Sequence, residues 1–248
     1  MPSDGKTDFG LSSFALHLLA MTFMLMDHMW ATIVPDSMWL TCVGRLAFPI
    51  FAFMIVEGYH HTRSVKKYML RLLIFAVVSE MPFDLMVSGT LLYPFHQNVM
   101  WTLLLGLGTI YLIDRLLSGR QSLEHMLACC AIVVVSAMLG TLFMLDYSGF
   151  GVLTVLTFYI FRGSGRLQHL GQLICLALIN LVLIGGEAIP VSLSGLSFSF
   201  PRQSFALLSL AFIWLYKGRQ GVHGKPVKYA FYSFYPLHML ILGLIAAA

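Results

Sequence analysis

The stretch LMDHMWATIVP, Leu25 to Pro35, sets an aspartate and a histidine side by side, Asp27 and His28, inside an otherwise apolar run. A histidine next to a carboxylate is the composition of an oriented general base. It is equally that of a structural hydrogen-bonded pair. The following run, TCVGRLAFPIFAFMIVEGYHHTR, carries Arg45. Its guanidinium can stabilise a developing oxyanion or close an internal ion pair with Asp27. In SEMPFDL, Glu80 and Asp84 stand four residues apart on one helical face, where they could act as acid and base, bind a cation, or pair with Arg45. His96 and Asn98 follow in FHQNVMW, Asn98 placed to cap a helix, and His238 lies behind Pro236 in FYSFYPLHMLIL. Glu57, His60 and His61 in EGYHHTR share helical spacing, but a di-metal bundle site needs two such motifs and further carboxylates, so no metal is expected.

The elements that must position these groups are membrane helices. Of the 248 residues 58% are hydrophobic and only 10% charged, against about a quarter charged in soluble domains. About 20 apolar residues cross the hydrocarbon layer. On that measure nine segments emerge, near 12–34, 39–60, 67–87, 98–117, 123–145, 149–162, 168–185, 203–217 and 228–247. The sixth and eighth are short, so the count is about nine. The expected fold is therefore all-α and polytopic, one domain over 1–248 with a short polar N-terminus, 1–11, that lacks a clear signal cleavage site.

Basic residues fix the expected orientation, because Lys and Arg are retained inside. Arg63, Lys66, Lys67 and Arg71 follow the second segment, Arg115 and Arg120 the fourth, Arg162 and Arg166 the sixth, and Lys217, Arg219, Lys225 and Lys228 the eighth. The odd connections carry Arg202 alone. This alternation puts the N-terminus in the cytoplasm and the C-terminus outside. The long Gly-, Ser- and Pro-rich connection at 185–203 becomes an outer loop, either a lid over a site or a plain flexible link. Counting 1.5 Å per residue, His28 lies roughly 20 Å from the inner end of its segment and Arg45 roughly 9 Å inside the outer end of its own. His238 falls near mid-membrane, so the three can share a cavity, and Pro49 should bend the second segment around it. The cysteines, Cys42, Cys129, Cys130 and Cys175, sit in apolar runs without metal spacing and read as small buried hydrophobes.

Taken together, LMDHMWATI, GRLAFPIFAFMIVEGYHHTR, YMLRLLIFAVVSEMPFDL, QNVMWTLLLGLG and FYSFYPLHMLIL resemble the TraX family of bacterial membrane proteins from the first segment to the last. Residues 120–200 are the least distinctive part. The best-known member acetylates the N-terminus of conjugative pilin, and the family looks distantly related to multi-span acyltransferases that use cytoplasmic acetyl-CoA. The resemblance touches Asp27, His28, Gly44, Arg45, Pro49 and His238. It implies an inner-membrane acetyltransferase acting on an amine or hydroxyl, with a peptide or a small membrane-associated molecule as acceptor.

Acetyl transfer needs a base and an oxyanion stabiliser. His28, oriented by Asp27, fits the first and Arg45 the second, while His238 is a second base or an acetyl-accepting nucleophile. Glu80, Asp84, His96 and Asn98 are the expected acceptor side of the site. Arg63, Lys66, Lys67, Arg71, Lys225 and Lys228 form a basic inner face suited to the phosphates of acetyl-CoA; topology alone would also place them there. Neither nucleic acid nor a metal is expected as partner, and membrane lipid is the solvent. The rival class is a proton-coupled transporter or channel built on the same buried ionisable residues. A scaffold for a secretion assembly is a third reading.

Overall fold

A computed structural model describes residues 10–117, 122–193 and 196–248; Arg120 and residues 1–9 lie outside these, as does the side chain of Lys225. The helices are α1 (Ser13–Thr32), α2 (Met38–Gly44), α3 (Ala47–His61), α4 (Val65–Ser88), α5 (Val99–Leu117), α6 (Leu123–Leu142), α7 (Ser148–Ile160), α8 (Arg166–Ala177), α9 (Ser209–Trp214) and α10 (Lys225–Ala246). A hairpin, β1 (Ala188–Leu193) with β2 (Leu196–Pro201), lies between α8 and α9. Serines open three of the long helices: Ser12, Ser64 and Ser122 accept the N–H groups of Ala15, Lys67 and His125. Asn98 caps α5 by accepting the Met100 N–H at 3.0 Å, as its position before the apolar run predicts.

The second segment is two helices. Pro49 has no N–H for the Arg45 carbonyl and its ring crowds that oxygen. The chain therefore tightens one turn upstream, where the Leu46 N–H reaches back only three residues to the Val43 carbonyl at 3.1 Å. This break sets Arg45 between α2 and α3.

Six helical stretches among the described residues are long and apolar enough to cross a membrane: Ser13–Thr32, Met38–His61, Val99–Leu116, Leu123–Leu142, Arg166–Ile184 and Pro226–Ala246. The remaining three segments fall short for separate reasons. Helix α4 is 24 residues long but carries Lys66, Lys67, Arg71, Glu80 and Asp84. Helix α7 has 13 residues, about 20 Å of helix. The eighth segment is a 3-10 stretch, Arg202–Leu208, followed by the six residues of α9. Val78, Leu142, Ile174 and Ile245 are each more than half exposed, on four different helices. An apolar belt of that extent has hydrocarbon as its solvent, and the chain is a helical membrane protein.

The core joins α3, α5 and α7 through Ile50, Val56, Leu107, Ile110, Val152 and Phe158, all buried. Helix α6 packs from outside, brought close by small residues: a Cβ on Gly149 would fall 2.2 Å from the Ala137 carbonyl oxygen.

Two polar ends result. At the basic end Leu11 bridges to Tyr216, Arg162 donates to Glu57 at 2.8 Å, and Tyr59 and Tyr159 both donate to Asp114. At the opposite end Gln97 and the 144–146 segment exchange backbone hydrogen bonds, tying the α4–α5 and α6–α7 connections together. There too the 185–203 connection is anchored rather than free: Arg202 pairs with Glu187 at 2.9 Å and lies 4.5 Å over the Trp30 ring, and Gln203 donates to Asn180.

Candidate functional site

Asp27 projects from α1 toward the α2–α3 break because Gly44 permits it. A Cβ on Gly44 would lie 2.4 Å from Asp27 Cβ. The carboxylate accepts from Arg45 Nη2 with both oxygens, at 2.5 and 2.6 Å, and from Thr41 Oγ1 at 2.7 Å. A cation at this depth needs such an anion, so the ion pair weighed from the sequence is present. It occupies only one nitrogen of the guanidinium, however. Arg45 Nε is buried with no hydrogen-bond partner, leaving donor capacity that Asp27 does not use.

His28 is one residue further along α1 and about 100° round it, so it faces α10 instead of Arg45. Its Nδ1 lies 2.7 Å from His238 Nε2, the two rings parallel within 6°. His238 Nδ1 in turn lies 2.7 Å from the Phe234 carbonyl oxygen. The structure thus brings together Asp27 with Arg45, and His28 with His238. The group that orients His28 is His238, not Asp27, whose two oxygens are taken.

Glu80, Asp84, His96 and Asn98 collect around the α4–α5 connection. Glu80 Oε2 accepts from Asn98 Nδ2 and, at 2.8 Å, from Trp101 Nε1. Asp84 Oδ2 accepts the Tyr93 N–H at 2.9 Å. The other oxygen of each carboxylate is buried without a partner. His96 lies 3.5 Å from Asp146 and edge-on to Phe83. The hydrogen bond that His96 donates to Asp146 is the main reason its imidazole titrates above its ordinary value, partial burial opposing it. Arg45 is within electrostatic reach of Asp146 and Tyr147, so this cluster and the Asp27 pair form one polar region.

From the basic end a cavity of about 560 Å³ runs inward between α1, α3, α4, α5 and α10. Ser13, His17, Gln220, His223 and Lys228 line its mouth, and Met21, Met54, Leu72 and Leu103 its length. Phe234 and Tyr235 line it as well. Both also contact His238, at ring separations of 4.6 and 5.9 Å. Of the basic face, Lys228 lines the cavity, and Arg71 sits 5.5 Å over the ring of Tyr68, a lining residue. Arg63, Lys66 and Lys67 are exposed at the α3–α4 turn and do not line it. No three His, Cys, Asp or Glu side chains among the described residues are grouped to hold a metal ion.

The family model described as TraX protein matches residues 12–246. The chain belongs to the TraX family. A curated relative, the probable fimbrial assembly protein FimC, serogroup H1, of Dichelobacter nodosus, is 29% identical over 242 residues, covering 93% of this chain and 94% of that protein. No solved structure matches.

Within this TraX chain, four residues of the polar region were not singled out by sequence reasoning. Thr41 and Asp146 are the partners that hold Asp27 and His96. Phe234 and Tyr235 line the cavity and pack against His238. Phe234 and Tyr235 did carry a signal: they lie four and three residues before His238, one turn away on its own face. Thr41 and Asp146 carried none, because their roles depend on contacts between segments distant in sequence.

Proposed function

We propose that the protein is a membrane-embedded acetyltransferase that passes an acetyl group from cytoplasmic acetyl-CoA to an amine or hydroxyl at the outer side of the bacterial inner membrane. The arrangement proposed is about nine spans with the N-terminus inside. The observation that carries this reading is the cavity, whose mouth lies at the basic end and whose inner reach touches the residues against His238. Its size suits a small ligand or a substrate arm. Lys228 and Arg71 offer charge for phosphate at the mouth. Beyond the cavity lining, His28 serves as base and the uncommitted N–H groups of Arg45 as oxyanion donors. The name of the fimbrial assembly relative, together with the family, supports a pilus subunit N-terminus as acceptor. Glu80, Asp84 and the His96 loop lie where an incoming acceptor would meet the polar region.

A proton-coupled carrier is the second reading, favoured by the unpartnered Glu80 Oε1 and Asp84 Oδ1. Thermal unfolding of the detergent-solubilised protein with acetyl-CoA separates the two. Stabilisation near 2.7 kcal/mol is expected at a hundredfold excess over Kd, and it should weaken on Lys228→Glu. Absence of any shift at saturating acetyl-CoA, with proton flux into liposomes, would establish the carrier instead.

A further inference from the structure

Which atom exchanges the proton can be read from hydrogen-bond chemistry, on the premise of the acetyltransferase reading. A carbonyl oxygen only accepts, so His238 Nδ1, bonded to the Phe234 carbonyl, carries a hydrogen. The neutral ring then offers a lone pair at Nε2. His28 Nδ1, 2.7 Å from that lone pair, must be the donor. Ring centroids 4.9 Å apart with that contact leave little more than two ring radii, so the parallel rings meet edge to edge in one plane, the direction of an imidazole lone pair. Three of the four ring nitrogens are committed. His28 Nε2 alone keeps a free lone pair, with no hydrogen bond to any described residue.

We infer that His28 Nε2 is the proton-exchanging atom of the site and that His238 is a positioning residue, locking His28 in the Nδ1–H tautomer. On this route no acetyl-His238 forms, and the acceptor attacks the thioester directly. As the acceptor's lone pair bonds to the acetyl carbon, Nε2 takes the acceptor's proton. The carbon–sulfur bond then breaks, its electron pair leaves on the CoA sulfur, and Nε2 returns the proton to that thiolate. While His28 is protonated, its Nδ1–H bond to His238 becomes charge-assisted and stronger. Acetylating His238 would break one of the two bonds that hold it.

The test is nitrogen NMR of the 15N-histidine-labelled protein in detergent without substrate, His28 being assigned from His28→Gln. His28 and His238 should both show a protonated Nδ1 and a bare Nε2, and His28 should lose that preference in His238→Ala. Kinetically, His238→Ala should lower kcat about a hundredfold or more with KM for acetyl-CoA unchanged. His238→Gln, which keeps an acceptor oxygen, should recover to within about tenfold of wild type. A hydrogen on Nε2 of His28, full activity in His238→Ala, or an acetyl adduct on His238 by intact mass would each overturn the inference. The tautomer readout needs no substrate, so it fails or holds separately from the acetyltransferase reading.

Discussion

The Asp27–Arg45 pair is only as good as the space Gly44 leaves for it. A methyl group there would lie 2.4 Å from Asp27 Cβ and 2.9 Å from its Cα, so α1 or α2 must shift and the carboxylate must leave Arg45 partly unpaired. Gly44→Ala should therefore destabilise the protein by about 1–3 kcal/mol and abolish activity. Gly108→Ala, whose new methyl meets only Met69 Cε at 3.6 Å, should do neither. Equal unfolding temperatures for the two variants in detergent would remove the close approach as the reason for this glycine. At this scale the sequence was legible in part. Ionisable residues in apolar runs pointed to contacts inside the helix bundle, and the depths of His28, Arg45 and His238 placed them at similar levels. The pairing of Asp27 with His28 was misread because adjacent residues on a helix point about 100° apart. Contact between α1 and α10, 210 residues apart, decided it instead.

Between elements, the contact of His96 with Asp146 adds a side-chain tie to the backbone bridge at Gln97 between two loops. His96 titrates above its ordinary 6.5 in the folded chain, mainly through Asp146. A raised value means the stabilisation is complete below about pH 6.5 and is lost as pH rises through the folded value. Wild type should thus lose more thermal stability than His96→Gln between about pH 6 and about pH 8.5; parallel pH curves for the two proteins would show that the contact contributes nothing. Hydropathy found a helical counterpart for each of the nine segments, and Pro49 foretold the break at Arg45. The 185–203 connection was less readable. Its Gly, Ser and Pro content suggested a loop, while the hairpin register and the anchoring of Arg202 on Glu187 and Trp30 depend on partners that local composition does not specify.

Across the whole molecule, contacts of Leu11 with Tyr216, Arg219 with Gly10 and Arg162 with Glu57 tie basic connections together among the described residues, and many large apolar side chains are exposed on the helices. A cavity shared by His28, Arg45 and His238 was expected, but none of the three lines the one present, whose walls come from five helices and the 220–224 segment. Its inner limit has an electrical meaning. Phe234 and Tyr235 line the cavity and pack against His238; on the proposed reading, much of a membrane potential would fall across these few side chains. One charge crossing them gains or loses about 2.3 kcal/mol per 100 mV. If His28 carries the acceptor's proton back to the CoA thiolate, an acetyl group moves outward, a proton equivalent moves inward, and no net charge crosses. Turnover in proteoliposomes should then be indifferent to an imposed inside-negative potential. Were each proton instead exchanged with the water on its own side, one positive charge would leave per cycle, and 100 mV would slow the reaction by up to roughly fiftyfold. On the proposed reading, a thin aromatic partition with a single shuttling histidine would let acyl groups leave an energised cell without drawing on, or being braked by, its voltage.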